Sequence, residues 1–115
     1  MIWLAVAIGG AVGALARHGL ATWIDSIWTI AAINIVGGFL LGVLVQTGGG
    51  LSDEVRTGLG AGVLGGFTTF STFSVQTVLE ADAGHTGTAV LYVAVSVLGS
   101  IAAAAAGYLA ARNIG

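Results

Sequence analysis

Long apolar stretches separated by short polar clusters run along the whole chain. The clusters are Asp25–Ser26, residues 46–54 and residues 80–85, and they leave apolar spans at about 2–23, 27–45, 55–79 and 86–111. Each span is near the roughly 20 residues that a helix needs to cross a bilayer. The pattern therefore predicts an all-α membrane protein with four transmembrane helices, folded as a single domain over residues 1–115.

The connections between the spans are short, which limits how the helices are arranged. Consecutive helices are expected to be antiparallel neighbours, so that both termini lie on one side of the membrane. Trp3 and Tyr108 fall near that side, whereas Trp23, Trp28 and Tyr92 fall near the other. This distribution is typical of the aromatic belts at the two membrane interfaces.

The third span differs from an ordinary lipid-facing helix. Its charge-free part, residues 57–79, contains the segment GGFTTFSTFS at residues 65–74. Paired glycines weaken a helix, and hydroxyl side chains compete for its backbone hydrogen bonds. Non-helical backbone at membrane depth is tolerated only where it is buried in protein or lines a water-filled cavity. We therefore expect the third helix to be broken mid-membrane near residues 65–68, as in helices that bind or pass ions.

The composition supports the membrane class and excludes several others. Hydrophobic residues make up 57% of the chain and charged residues 7%, against about 25% charged residues in a soluble domain. The lack of cysteine excludes disulfides and thiolate metal sites. The net charge of −2 gives no sign of a nucleic-acid partner. No carboxylate lies deep in a span and no nucleophile–base pair is evident, so neither a carboxylate proton relay nor an enzyme is expected.

The arginines set little preference for one orientation in the membrane. Arg56 and Arg112 lie near the terminal side and Arg17 lies toward the other, so the positive-inside rule has only a weak bias to act on. Four helices of this length also do not easily enclose a pore. An antiparallel homodimer of oppositely inserted copies answers both points and is our hypothesis.

A few residues within the spans are candidates for chemistry, each with a plainer alternative. Asn34 can bind an ion or form an interhelical hydrogen bond. Phe70 and Phe73, three residues apart on one helix face, can present positive ring edges to an anion or can simply pack. Carbonyls freed near residues 65–68 can hold a monovalent cation or bond to neighbouring helices. Arg17 is either functional or extends to the interface.

These motifs resemble those of the Fluc/CrcB fluoride channels over essentially the whole chain. The segments that carry the resemblance are GGAVGALAR at residues 9–17, NIVGGF at residues 34–39 and GGFTTFSTFS at residues 65–74. The third segment is the most specific of them. The resemblance implies a dual-topology, antiparallel homodimer in a prokaryotic cell membrane. It also implies passive export of cytoplasmic fluoride, which confers resistance to that ion.

The resemblance also implies roles for particular residues. The partners it implies are a second copy of the chain, fluoride and the lipid bilayer, without nucleic acid. A structural sodium ion is expected at the dimer interface. The implied residues are Phe70 and Phe73 as the ring pair, Asn34 as an amide donor, Ser71 and Thr72 as a hydroxyl track with Tyr92 and Ser96 beside it, Arg17 at a vestibule, and the carbonyls of Gly65 and Thr68 as sodium ligands.

Two other functions remain as alternatives. A small multidrug-resistance type exporter exchanges protons through a glutamate in its first helix, but this chain has no acidic residue before Asp25. A noncatalytic subunit of a membrane complex would suit the glycine-rich helix faces but would leave the polar third span unexplained. The chain also has Gln76 where members of the resembled family often have a glutamate, so its conduction rate is expected to differ.

Overall fold

The computed structural model describes residues 1–114 of the protein, most of them helical, with no strand in that range. The predicted domain extends to Gly115, which lies outside the described residues. The first helix is Ile2–Trp23, and the second is Ile27–Thr47, which a short 3-10 turn at Gly48–Gly50 follows. The third span consists of four pieces, Asp53–Thr57, Gly58–Leu64, Gly65–Phe67 and Ser71–Asp82. The last helix is Thr86–Arg112.

Within residues 1–114, three helices have the length and apolar composition to cross a membrane. They are Ile2–Trp23, Ile27–Gly50 and Thr86–Arg112. The third span is divided by non-helical residues at 68–70, so neither of its halves is a continuous helix of that length. What the sequence pattern shows as four apolar runs is therefore, in the structure, three long helices and two half-helices.

Side-chain oxygens begin two of the helices after a turn. Ser26 accepts a 3.2 Å hydrogen bond from the backbone N–H of Trp28 at the start of the second helix, and Ser52 accepts one of 3.2 Å from Val55 at the start of the third span. Such N-caps satisfy amides that have no partner within the helix. Gly84, with φ of +88°, ends the third span in the left-handed conformation that glycine adopts at little cost.

Glycine faces bring the helices together in two pairs. The first helix packs against the first half of the third span, where a Cβ added at Gly9 would lie 2.5 Å from the carbonyl oxygen of Gly58. The second helix packs against the last, where a Cβ at Gly38 would lie 2.9 Å from the carbonyl oxygen of Ser100. Small residues allow such backbone contact where lipid supplies no hydrophobic drive between helices.

The third span is irregular over a longer stretch than expected. Residues Gly58–Leu64 form a π-helical segment containing three glycines, which the sequence pattern did not foresee. The chain then leaves the helix at Thr68, whose ψ is 158°, rather than at the glycine pair. Gly65 and Gly66 stay helical because Gly66 packs against the backbone of Gly10, where a Cβ would come within 2.5 Å of its carbonyl oxygen. The break therefore lies at residues 68–70, later than the expected 65–68.

A small core lies beside the break. Ile30 and Ile33 of the second helix pack with Phe73 and Tyr92, and Phe67 covers one edge of this cluster. Most other large apolar side chains point outward. An outward apolar surface is expected of a protein surrounded by lipid or by another copy, because no water has to be accommodated there.

We expect Gly13→Ala to destabilise the protein by about 1–3 kcal/mol, the usual cost of overpacking. A Cβ at Gly13 would meet the carbonyl oxygen of Val63 and lie 2.7 Å from the backbone nitrogen of Phe67, neither of which can turn aside. Gly19→Ala is the matched control in the same helix, because no atom lies within 4 Å of its Cβ position. Titration with SDS in mixed micelles, followed by circular dichroism, measures both. Equal stability of the two variants would contradict this packing.

Candidate functional site

The side-chain amide of Asn34 pairs with the backbone of the broken segment. Its Nδ2 donates a 3.0 Å hydrogen bond to the carbonyl oxygen of Thr69, and its Oδ1 accepts a 2.8 Å bond from the N–H of the same residue. The two bonds replace those that the break removes. Asn34 thus forms an interhelical hydrogen bond, as the plainer alternative proposed, but its partner is the non-helical backbone itself.

The hydroxyl of Thr69 restarts the helix after the break. Its Oγ1, in a residue only 9% exposed, accepts a 3.2 Å hydrogen bond from the N–H of Thr72 and lies 3.4 Å from the Oγ of Ser71. The bond satisfies a first-turn amide that has no partner within the helix, as the side chains before a helix commonly do. It places Ser71 and Thr72 in the first turn of the second half-helix, where Ser71 is exposed and Thr72 half-buried.

Two backbone carbonyls lose their helical partners as a result. In a continuous helix, the N–H of Thr69 would bond to the oxygen of Gly65, and the N–H of Thr72 to the oxygen of Thr68. Both N–H groups are instead bonded to side chains, those of Asn34 and Thr69. The structure thus leaves the carbonyls of Gly65 and Thr68 without their helical amides. Carbonyl oxygens of this kind are ligands suited to a hard cation.

Arg17 approaches the break from the first helix. Its Nε donates a 3.2 Å hydrogen bond to the carbonyl oxygen of Gly66, and the side chain is half-buried. Gly66 lies in the last turn of the first half-helix, where the helix dipole favours a positive charge. The guanidinium therefore caps a helix end inside the protein.

The aromatic residues of the third span lie side by side but differ in exposure. The ring centroids of Phe70 and Phe73 are 5.6 Å apart with an interplanar angle of 56°. Phe70 precedes the second half-helix and is 76% exposed, whereas Phe73 is 6% exposed in the core. Phe73 also packs against Tyr92, with centroids 5.2 Å apart. The expected pair is in contact, although only one of its rings lies within the helix.

The last helix contributes three hydroxyls near the break. The O–H of Tyr92 donates a 2.6 Å hydrogen bond to Oε1 of Gln76. One and two turns further along, the hydroxyl oxygens of Ser96 and Ser100 are buried without a partner in the described structure. Each of these hydroxyls has a hydrogen to donate.

A cavity of about 370 Å³ unites many of these groups. No charged residue is among its lining in the described part of the chain. Arg17, Ser71, Thr72 and Tyr92 lie outside that lining. The polar, aromatic and glycine residues that line it are Asn34, Gly37, Gly38, Gly60, Gly65, Thr68, Thr69, Phe70, Phe73, Ser96 and Ser100.

Two residues of this site and one contact within it were missed by the sequence analysis. Thr69 lies within the third motif, but nothing in the pattern distinguished it from the neighbouring hydroxyls. Ser100 follows Ser96 by one helical turn in an otherwise apolar helix, a spacing that indicates a shared face. The bond between Gln76 and Tyr92 depends on tertiary contact and has no signal in the sequence.

Comparison with known proteins decides the family. Residues 4–108 match the sequence model of a family described as "CrcB-like protein, Camphor Resistance (CrcB)". The chain belongs to this family. The resemblance inferred from the three motifs is thereby confirmed, and with it the chain's place among multi-pass membrane proteins.

Several curated relatives support the same assignment. The chain is 52% identical to "Fluoride-specific ion channel FluC 1" of Rhodococcus jostii, over 94% of this chain and 83% of that protein. It is 45% identical to "Fluoride-specific ion channel FluC" of Caulobacter vibrioides, over 96% of this chain and 95% of the relative. A protein of the same name from Thermus thermophilus is 42% identical over 78% of this chain and 77% of its own length.

Replacing Asn34 tests whether the amide holds the break in this CrcB-family chain. We expect Asn34→Leu to lower the free energy of unfolding by about 1–3 kcal/mol, because it leaves the buried N–H of Thr69 unpaired. Gln46→Leu is the control, since it removes a carboxamide from the far end of the same helix. SDS titration of both variants gives the comparison. A loss no larger for Asn34→Leu than for Gln46→Leu would contradict the proposed role.

Proposed function

We propose that this protein is a fluoride-selective channel that exports cytoplasmic fluoride passively across a prokaryotic cell membrane and so confers fluoride resistance. The observation that carries the proposal is the broken third span beside a cavity whose polar groups are all uncharged. The names of the relatives and their bacterial sources support it. A passive channel needs only a pathway, and the described residues that line the cavity include no carboxylate that could couple transport to protons.

Uncharged donors suit the passage of a small, strongly hydrated anion. The ion must exchange water for hydrogen-bond donors in order to enter, and must be bound weakly enough to leave. The amide of Asn34 has a second N–H beyond the one bonded to Thr69, and the hydroxyls of Ser96 and Ser100 have hydrogens to donate. The edges of Phe70 and Phe73 add partial positive charge without an ionised group.

The remaining predicted residues act around this cavity in the proposal. Ser71 and Thr72 extend the donors along the second half-helix, and Tyr92 supports Phe73 from behind. Arg17 contributes positive potential near the break while its Nε remains bonded to Gly66. Asn34 has two tasks, since the same amide holds the backbone of Thr69 and faces the cavity.

The proposed unit is an antiparallel homodimer of oppositely inserted copies, with four crossings in each. Phe70 is 76% exposed in a single chain although it lines the cavity. Val97 and Ile101, which line the same cavity, also expose apolar surface. A second copy placed over this face would close the cavity on the side that one chain leaves open.

The carbonyls of Gly65 and Thr68 are the proposed ligands of a structural sodium ion between the two copies. Their diverted amides support this assignment, because each oxygen has an unused bonding position in the described structure. Glycine at position 65 leaves that carbonyl accessible from outside the chain. When bound, sodium supplies a fixed positive charge that links the subunits and raises the potential felt by a passing anion.

Fluoride efflux from liposomes, measured with sodium present and beside chloride efflux, tests the channel proposal. From the parent protein, we expect rapid fluoride efflux and negligible chloride efflux. Phe70→Ile should lose fluoride efflux and keep the dimer intact, because the variant lacks a ring edge at the cavity. Phe39→Ile is the control: it removes a ring from the second helix outside the cavity lining. Efflux from Phe70→Ile equal to that from Phe39→Ile would count against the proposed path, and no fluoride efflux from folded parent protein would refute the channel.

The dimer proposal predicts two further results. In cells, an impermeant label should reach an N-terminal tag from both faces of the membrane, because copies are inserted in both directions. A tag reached from one face only would refute dual topology.

The second result concerns the sodium site. In detergent, replacing sodium with N-methyl-D-glucamine should lower the midpoint of thermal unfolding and release monomer. An unchanged midpoint would refute the sodium site.

A further inference from the structure

Trp28 lies at the start of the second helix and contacts the buried aromatic residues. It lies in the first turn of the second helix, with its backbone N–H bonded to Ser26, and its side chain is 38% exposed. Its ring meets that of Tyr92 edge to face, with centroids 5.6 Å apart and an interplanar angle of 89°. This T-shaped arrangement is the one that the aromatic quadrupole favours.

Tyr92 lies between Trp28 and Phe73, which lines the proposed path. Its side chain is fully buried, and the ring packs 5.2 Å from that of Phe73. Its hydroxyl bonds to Gln76, which lies one turn beyond Phe73 on the same half-helix. Besides the packing of Ile30 and Ile33, three groups make an aromatic contact or a hydrogen bond with Tyr92: Trp28, Phe73 and Gln76. Of these, Trp28 is the only one outside the third span.

Trp28 does not itself line the cavity, whereas Phe73 does. Within the described residues, the aromatic contacts run from Trp28 through Tyr92 and Phe73 to Phe70 in steps of 5.2 to 5.6 Å. Phe73 packs against Tyr92 as well as against Ile30 and Ile33, so a shift of the Tyr92 ring would change the packing on one side of Phe73. The position of Phe73 at the cavity thus depends on a residue at the start of another helix.

We propose that Trp28 is a positioning residue for fluoride passage, acting through Tyr92 to fix the ring of Phe73. The inference rests on the proposed channel function and adds to it a residue outside the cavity. The edge-to-face contact with Tyr92 requires an aromatic ring at position 28, which an aliphatic side chain of similar size does not supply. This requirement separates positioning from simple filling of space.

The test compares substitutions at position 28 in fluoride efflux from liposomes. We expect Trp28→Leu to slow fluoride efflux roughly tenfold, the upper range for loss of an aromatic pair, and Trp28→Phe to stay within about threefold of the parent, because it keeps a ring. Trp23→Leu is the control: Trp23 lies at the same end of the molecule, is 79% exposed and has no aromatic contact in the described structure. It should leave efflux unchanged.

A double-mutant cycle determines whether Trp28 acts through Tyr92. On a Tyr92→Leu background, Trp28→Leu should cause little further loss of efflux, since the contact it removes is already absent. The near-ultraviolet circular dichroism of the folded protein should show the same non-additivity without any transport measurement. Fully additive losses in both would overturn the inference, as would equal losses for Trp28→Leu and Trp28→Phe.

The experiment also separates this inference from the proposed function. Parent protein that moves no fluoride would refute the channel proposal and, with it, the role of Trp28 in passage. Parent protein that moves fluoride, together with unimpaired efflux from Trp28→Leu, would refute the positioning role alone. Unfolding of Trp28→Leu, seen as loss of the dimer in size-exclusion chromatography, would indicate a structural role and also overturn the inference.

Discussion

The pair of hydrogen bonds between Asn34 and the backbone of Thr69 is the interaction on which the site depends. Unpaired backbone groups in a membrane interior cost several kcal/mol each, so a broken helix needs a substitute partner wherever it opens. The carboxamide of Asn34 donates to the carbonyl oxygen of Thr69 and accepts from the N–H of the same residue. The single oxygen of a hydroxyl group could not reach both of these backbone atoms at once. Because Thr69 is held, its hydroxyl can start the next half-helix, and the carbonyls before it become free.

The two helix pairs explain why the break lies where it does. Glycine faces bring the first helix against the first half of the third span at backbone contact, and the second helix against the last in the same way. The segment at residues 68–70 crosses from one pair to the other. Thr68 faces Gly37 of the second helix, where an added Cβ would meet its side chain. The backbone around this segment is reached by side chains from both neighbours, with Arg17 bonded just before it and Asn34 bonded within it.

Local sequence signals located the helices well and the site only in part. Apolar runs and polar clusters are local, and the observed helices Ile2–Trp23 and Thr86–Arg112 begin and end within a residue of the expected spans. The break was placed too early, because the packing of Gly66 on Gly10 kept the glycine pair helical and intrinsic propensity gave no sign of that contact. The pairing of Asn34 with Thr69 and the bond from Tyr92 to Gln76 join residues that are far apart in the sequence. The π-helical segment is local, but its glycines did not distinguish it from an ordinary helix. Motif resemblance indicated the residue set but not these partners.

The divided third span has a consequence for biosynthesis. Each half-helix end inside the protein has a partial charge of about half an elementary unit, negative at the carboxyl end of the first half and positive at the amino end of the second. These charges belong to the backbone, and they cancel over the polypeptide. The insertion machinery sorts segments by ionised side chains, chiefly lysine and arginine. The polarity of the break therefore exists only in the folded protein and adds nothing to the signal that orients the nascent chain.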